Sequence, residues 1–257
     1  MITPAAESIG MLIRLETHTS AKLLRSKGAR KDLVERLREA KKRYRLPILN
    51  YLVSPQAVSI LTMPDSMESV GRFVGCLRGG ASSGHARKTG QDGPFWRKRA
   101  QYTLVQGKAA LRGCLEAMAW EPVRQEIVLH PCQYPWSGYA ELVGIRRRYR
   151  VGDYARLATV YGCETEQELH AAIAEGIEAD KASGQTFEEW ENAFAVGEKT
   201  WIEMAADTLL SRRRTTSRLR TLTAVDLYTL TTANRHRRIY MRKLLKRLGR
   251  LNQKRLS

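Results

Sequence analysis

Nowhere in this 257-residue sequence do about 18 consecutive apolar residues, the length a membrane-spanning helix needs, occur together. A helical membrane span is therefore not expected. The opening MITPAAESIG has no basic segment ahead of an apolar run, so a secretion signal is not expected either. Cys76, Cys114, Cys132 and Cys163 are scattered, without a C-x-x-C pair or a nearby histidine at zinc-ligand spacing. Reduced thiols in the cytoplasm are the expectation, with no metal and no cofactor. Internal repeats are lacking as well. Acidic residues are the scarcest where basic ones are densest, and that imbalance is the first positive signal.

The formal charge is +18, an excess that calls for a polyanionic partner. From Arg212 to Ser257 there are fifteen Lys/Arg and one acid, Asp226, so +14 of the +18 sits there and +4 remains for the other 211 residues. Arg212, Arg213, Arg214, Arg218 and Arg220 form one cluster, followed by the less charged TLTAVDLYTLTT (Thr221–Thr232). Arg235–Arg250 reads as a basic helix, with Tyr240, Leu244 and Leu248 on one side and Gly249 at its end. It carries Arg237, Arg238, Arg242, Lys243, Lys246 and Arg247. Such a run neutralises phosphates. The competing readings are a disordered solubilising tail and an amphipathic helix that meets a protein partner.

The body divides into strands and helices by period. Gly10–Leu15 suits a strand, and Lys31–Tyr44 an amphipathic helix with Leu33, Leu37, Ala40 and Tyr44 on one side. Ile48–Val53 and Ala57–Met63 form a hairpin across Ser54-Pro55-Gln56, and Met67–Leu77 is a second helix. Gly79–Gly93, rich in Gly and Ser, reads as a mobile connector. Tyr102–Val105 is a fourth strand and Lys108–Trp120 a helix ended by Pro122, which separates Glu121 from Glu126. From Val151 onward the pattern is helical throughout: Asp153–Tyr161, Glu164–Lys181 and Trp190–Leu210. This order predicts an α+β fold with a ferredoxin-like antiparallel sheet and helices on one face. The organisation expected is an α+β domain over 1–145, a helical extension over 146–210 and a basic tail over 211–257.

Several segments, in this order, are similar to REP-associated tyrosine transposases of the single-tyrosine, His–hydrophobe–His class. They are EAKKRYRLPILNYLV (Glu39–Val53), GPFW with Arg99, ALRGCL (Ala110–Leu115), PVR (Pro122–Arg124) and HPCQYPWSGYAEL (His130–Leu142). RRYRVGDYARL (Arg147–Leu157) and WENAFAVGEKTW (Trp190–Trp201) match the helical extension of that family. The likeness spans residues 8–210 and omits the tail.

The resemblance implies two metal-binding histidines on the second hairpin strand and a tyrosine nucleophile on the helix after GPFW. The matching positions hold Ala57 and Ser59, around Val58, and Ala117. A methyl cannot ligate a metal, a lone hydroxyl is a poor substitute for imidazole, and without a phenolate no phosphotyrosine forms. A catalytically inactive relative is the expectation, not an enzyme. Tyr102, Tyr134 and Tyr139, with His85 and His130 in loops, show no spacing that would rebuild the centre.

What such a relative would retain is a surface for single-stranded or hairpin DNA: aromatics for stacking and arginines for phosphates. The residues so assigned are Phe95, Trp96, Lys98, Arg99, Arg124, Arg147 and Arg148, together with the tail cations named above. An RNA-binding or scaffolding subunit of a larger complex is the alternative, and a nuclease with a relocated site a third.

Overall fold

The computed structural model describes residues 9–18, 24–90, 94–97, 99–179, 186–210, 217–222 and 227–232. The expected basic helix Arg235–Arg250 lies outside the described residues.

Four antiparallel strands make the centre: β1 (Ile9–Glu16), β2 (Ile48–Val53), β3 (Ala57–Thr62) and β4 (Gln101–Gln106), in the order β2-β3-β1-β4. That is the ferredoxin-like arrangement expected of the alternation β-α-β-β-α-β. The two crossover helices are α1 (Lys27–Tyr44) and α2 (Met67–Thr89). Both lie on one face, where Leu33, Leu37, Val70, Phe73 and Leu77 pack against Met11, Ile13, Tyr51, Val58 and Ile60. Ser26 caps α1 through a bond from the Ala29 amide, and Ser66 caps α2 from that of Ser69, each satisfying an orphan donor.

The second face is covered too. Helix α3 (Gly107–Arg124) sets Leu111, Cys114, Leu115 and Met118 against Leu12, Leu61 and Val105. Beyond α3 come α4 (Tyr139–Leu142), α5 (Ala155–Tyr161), α6 (Glu166–Ala179) and α7 (Phe187–Asn192), which complete this second core. A sheet covered on both faces explains why β2 and β3 are buried at every position and do not alternate.

Three expectations change. Gly79–Gly93 is not a connector up to Thr89: its first eleven residues continue α2, so His85 is helical. Gly80 and Gly84 serve close packing. A Cβ on Gly80 or Gly84 would come within 2.8 and 2.5 Å of the Arg36 guanidinium on α1. Second, Pro122 does not end α3 but lies in its last turn, where it forgoes its own bond to the Met118 carbonyl without stopping the helix. Third, the stretch Trp190–Leu210 is not one helix. It divides into the end of α7, a strand β5 (Ala195–Gly197) and α8 (Lys199–Leu210). The run Phe194–Val196 is apolar and fully buried, and β4 offers an open edge. β5 pairs with that edge in parallel, and the Leu104 amide donates to Phe194 O at 2.9 Å.

The sheet then grows through a hairpin drawn from the segment read as tail. β7 (Leu227–Thr232) pairs antiparallel with β5, and β6 (Ser217–Leu222) with β7, giving seven strands ordered β2-β3-β1-β4-β5-β7-β6.

Two glycines separate packing from propensity. Gly79 is exposed within α2, with nothing within 4 Å of an added Cβ. Gly79→Ala should therefore stabilise the protein by about 1 kcal/mol through helix propensity. On α3, a Cβ at Gly113 would meet the rigid Trp190 ring at 3.0 Å. Gly113→Val should destabilise by about 1–3 kcal/mol through overpacking. Urea denaturation of both variants checks the pair.

Candidate functional site

Ala57 and Ser59 are two apart on β3 and so face the same side of the sheet, the side of α3 and the extension. Ser59 is 3% exposed, and Ala117 on α3 is completely buried. Across the sheet Ser59 is flanked by Arg14 of β1 and Leu52 of β2.

The space beside Ser59 is filled from α7. The Ser59 hydroxyl donates to Glu191 Oε1 at 2.6 Å, and the other oxygen, Oε2, accepts from Arg14 Nη1. Arg14 Nε also donates to Glu16 at 3.1 Å. Helix α7 is held over the sheet by Thr103 of β4, whose buried hydroxyl lies 2.9 Å from Trp190 O and 2.7 Å from Ala193 O. Burial pushes the Glu191 carboxyl above the usual carboxylate range, a shift that the bonds from Arg14 and Ser59 only partly offset. For Arg14 burial opposes the charge, yet Glu191 and then Glu16 outweigh it and hold the guanidinium charged. On acidification the pair therefore loses its charge balance through protonation of the carboxyl, while Arg14 stays charged.

A cleft of about 340 Å³ opens beside this pair, between the ends of β1 and β3, the last turn of α3 and α7. Glu16, Glu121, Glu188 and Glu191 line it, with Arg14 as the one cation among its lining residues. Four carboxyl groups against one guanidinium disfavour a phosphate there. Glu121 lies one turn beyond Ala117 on the same face of α3, and Gln125, the residue after the helix, lines the cleft with it. Among the described residues no three His, Cys, Asp or Glu side chains converge as metal ligands.

The residues assigned to nucleic acid scatter. Phe95 and Trp96 are 7% and 6% exposed and pack edge-to-face on one another at 4.7 Å. Trp96 Nε1 donates to Arg78 O at 3.1 Å, and His85 abuts the Phe95 ring. Their ring faces are thus occupied by protein, and a base would find none to stack on. Arg99 is exposed, whereas half-buried Arg124 reaches back to Ala117 O at 3.4 Å. Arg147 and Arg148 are exposed between α4 and α5. Arg218 and Arg220 sit on edge strand β6, opposite Thr231 and Thr229. Lys98, Arg212, Arg213, Arg214, Arg237, Arg238, Arg242, Lys243, Lys246 and Arg247 lie outside the described residues.

Three residues that organise this region carried no sequence signal strong enough to single them out. Arg14 and Glu191 are 177 positions apart, and only the fold joins them. Glu141 lies within a motif, HPCQYPWSGYAEL, whose aromatics draw attention away from it. An acid completely buried at the end of a four-residue helix is a tertiary fact. A charged residue within an apolar run is the signal that could have found Arg14, in MLIRLE.

No family model matches the chain, and no curated protein matches it by sequence. Among solved structures it is similar to a REP-associated tyrosine transposase bound to a REP hairpin. That similarity has a TM-score of 0.42 and 14% identity, over 60% of this chain and 94% of the other.

Breaking the Arg14–Glu191 pair tests its electrostatics. Arg14→Met leaves a buried carboxylate without its countercharge, at a cost of about 3 kcal/mol at neutral pH. Because the folded-state value of Glu191 is raised, protonation relieves that cost. The deficit should narrow as pH falls towards the ordinary carboxylate range, about 4 to 5. Urea midpoints of the variant and the parent chain across this window decide it, and a constant deficit would contradict the assignment.

Proposed function

We propose that this chain is a nucleic-acid-binding protein that does not cut its ligand, built on a transposase-like body whose catalytic positions have been turned over to packing. One observation carries the second half of that reading. At Ser59, where the resemblance implies a metal-ligating histidine, the hydroxyl is committed to Glu191, and Glu191 to Arg14. A site whose polar groups already satisfy one another offers no open ligand and no nucleophile. Ala117, where the resemblance implies the tyrosine, has neither a hydroxyl nor access to solvent.

The first half rests on charge. A net +18, concentrated towards the C-terminal end, favours a polyanion and gives steep salt dependence. Single-stranded or hairpin DNA is the preferred ligand of this reading, and a regulatory or targeting factor the role. The second reading, an RNA-binding or scaffolding subunit, draws on the basic excess after Arg212, which has no counterpart in the transposase pattern.

Fluorescence anisotropy at about 150 mM salt, the physiological range of ionic strength, separates the two. Hairpin DNA should bind more tightly than random duplex of equal length, and labelled strands should stay intact with magnesium or manganese. A preference for RNA over hairpin DNA would move the assignment to the second reading. Metal-dependent nicking that co-purifies with the protein and is abolished by a point substitution would refute the non-cutting role.

A further inference from the structure

Between α4 and α5 the chain holds an aromatic ring out in water. Tyr149 is 77% exposed and its near neighbour Ile145 67%. Tyr149 also adopts φ 55°, the left-handed region that a side chain with a Cβ rarely occupies. Both features are unfavourable in isolation, so the surrounding structure must impose them.

It does so from two sides. The completely buried Glu141 carboxylate accepts the Val151 and Gly152 amides, each at 2.8 Å, which fixes the segment just after the ring. From α1, Arg38 Nε donates to Tyr149 O at 3.1 Å, with its guanidinium 5.6 Å from the ring centroid. Lys41 Nζ donates to Gly152 O at 2.9 Å. The ring is thus presented on a braced loop, flanked in sequence by exposed Arg147 and Arg148. Lys42, exposed, succeeds Arg38 along the same face of α1, and exposed Arg45 follows directly after the helix end. Of the nearby carboxylates, Glu35 pairs with Arg38 and Glu166 with Arg150, while Asp153 faces Lys41.

We infer that this surface is a binding site for single-stranded DNA, with a base stacked on Tyr149 and the adjoining phosphates on Arg147 and Arg148. Lys42 on α1 and Arg45 just past its end extend the phosphate track. The ring selects the ligand class. An acidic peptide would satisfy the arginines and leave the tyrosine uncovered, and in a duplex the base faces are already stacked on one another. An unpaired base covers the ring while its backbone meets the cations. This assignment rests on the nucleic-acid reading above but is independent of which strand feature the rest of the protein prefers.

The test is anisotropy with a labelled single-stranded DNA, a matched RNA and a duplex, on the full chain and its variants. Tyr149→Ala should weaken single-strand binding about tenfold, and Tyr149→Phe should restore it, because stacking needs the ring and not the hydroxyl. Arg147→Ser with Arg148→Ser should flatten the salt dependence by about 0.7 in slope for each phosphate that is no longer neutralised. Tyr149→Gly, which suits the positive φ, guards against a folding artefact and should bind as weakly as the alanine variant. Light-induced crosslinking from 5-iodouracil DNA should map to Tyr149. Binding by the parent chain with no change in any Tyr149 variant overturns this site and leaves the nucleic-acid reading standing. If the parent chain binds none of the three nucleic acids, both fall. An RNA preference sensitive to Tyr149 overturns the choice of DNA.

Discussion

A carboxylate without access to water ties the sheet core to the helical extension. Glu141 accepts from the Tyr51 phenol of β2 at 2.9 Å through one oxygen and from the Val151 and Gly152 amides through the other. Tyr154 adds a longer contact at 3.4 Å, and Arg146 lies 3.5 Å away as the countercharge. Burying such a group unpaired would cost several kcal/mol, so its partners are constrained as a set. They come from a core strand, from the arginine-rich segment and from the entry to α5. The Tyr51 hydroxyl is pushed out of its ordinary titration range in consequence, burial being the larger cause and the Glu141 charge the next.

Helix α7, held by Thr103 of β4, rests over β1 and β3 through Glu191, and the sheet loses its open face. Positions that would be free for chemistry in a one-sided sheet become core. Charge is partitioned as a result. The cleft beside Ser59 is lined mainly by carboxyl groups, whereas the cations collect on α1 and on the segment from Arg146 to Arg150. A polyanion approaching this body meets attraction at α1 and repulsion at the cleft. In the proposed reading, binding has therefore moved away from the sheet face to a helix and a braced loop.

Much of the core was legible in the sequence because the apolar periods are clean. β1 through β4 and α1 fall within a few residues of where alternation and helical spacing put them. The departures share one cause: neighbours distant in sequence override local composition. Glycines at 79, 80 and 84 signal a loop when α1 is ignored, yet two of them allow Arg36 to lie against α2. Pro122 signals a helix end, but α3 runs on through it to Arg124. Phe194–Val196 sits inside a helical pattern, and only the vacant edge of β4 turns it into a strand.

The sequence by itself determined the element order of the core, the position of the basic excess and the residue types at Ala57, Ser59 and Ala117. These arise from chemistry that is local along the chain. Tertiary structure alone decided that Phe95 and Trp96 spend their ring faces on protein while Tyr149 is held in water, and that Glu191 reaches across to Arg14. Burial and pairing depend on which surfaces meet, and residues 177 positions apart become neighbours only when α7 docks onto β4 and closes the second face of the sheet.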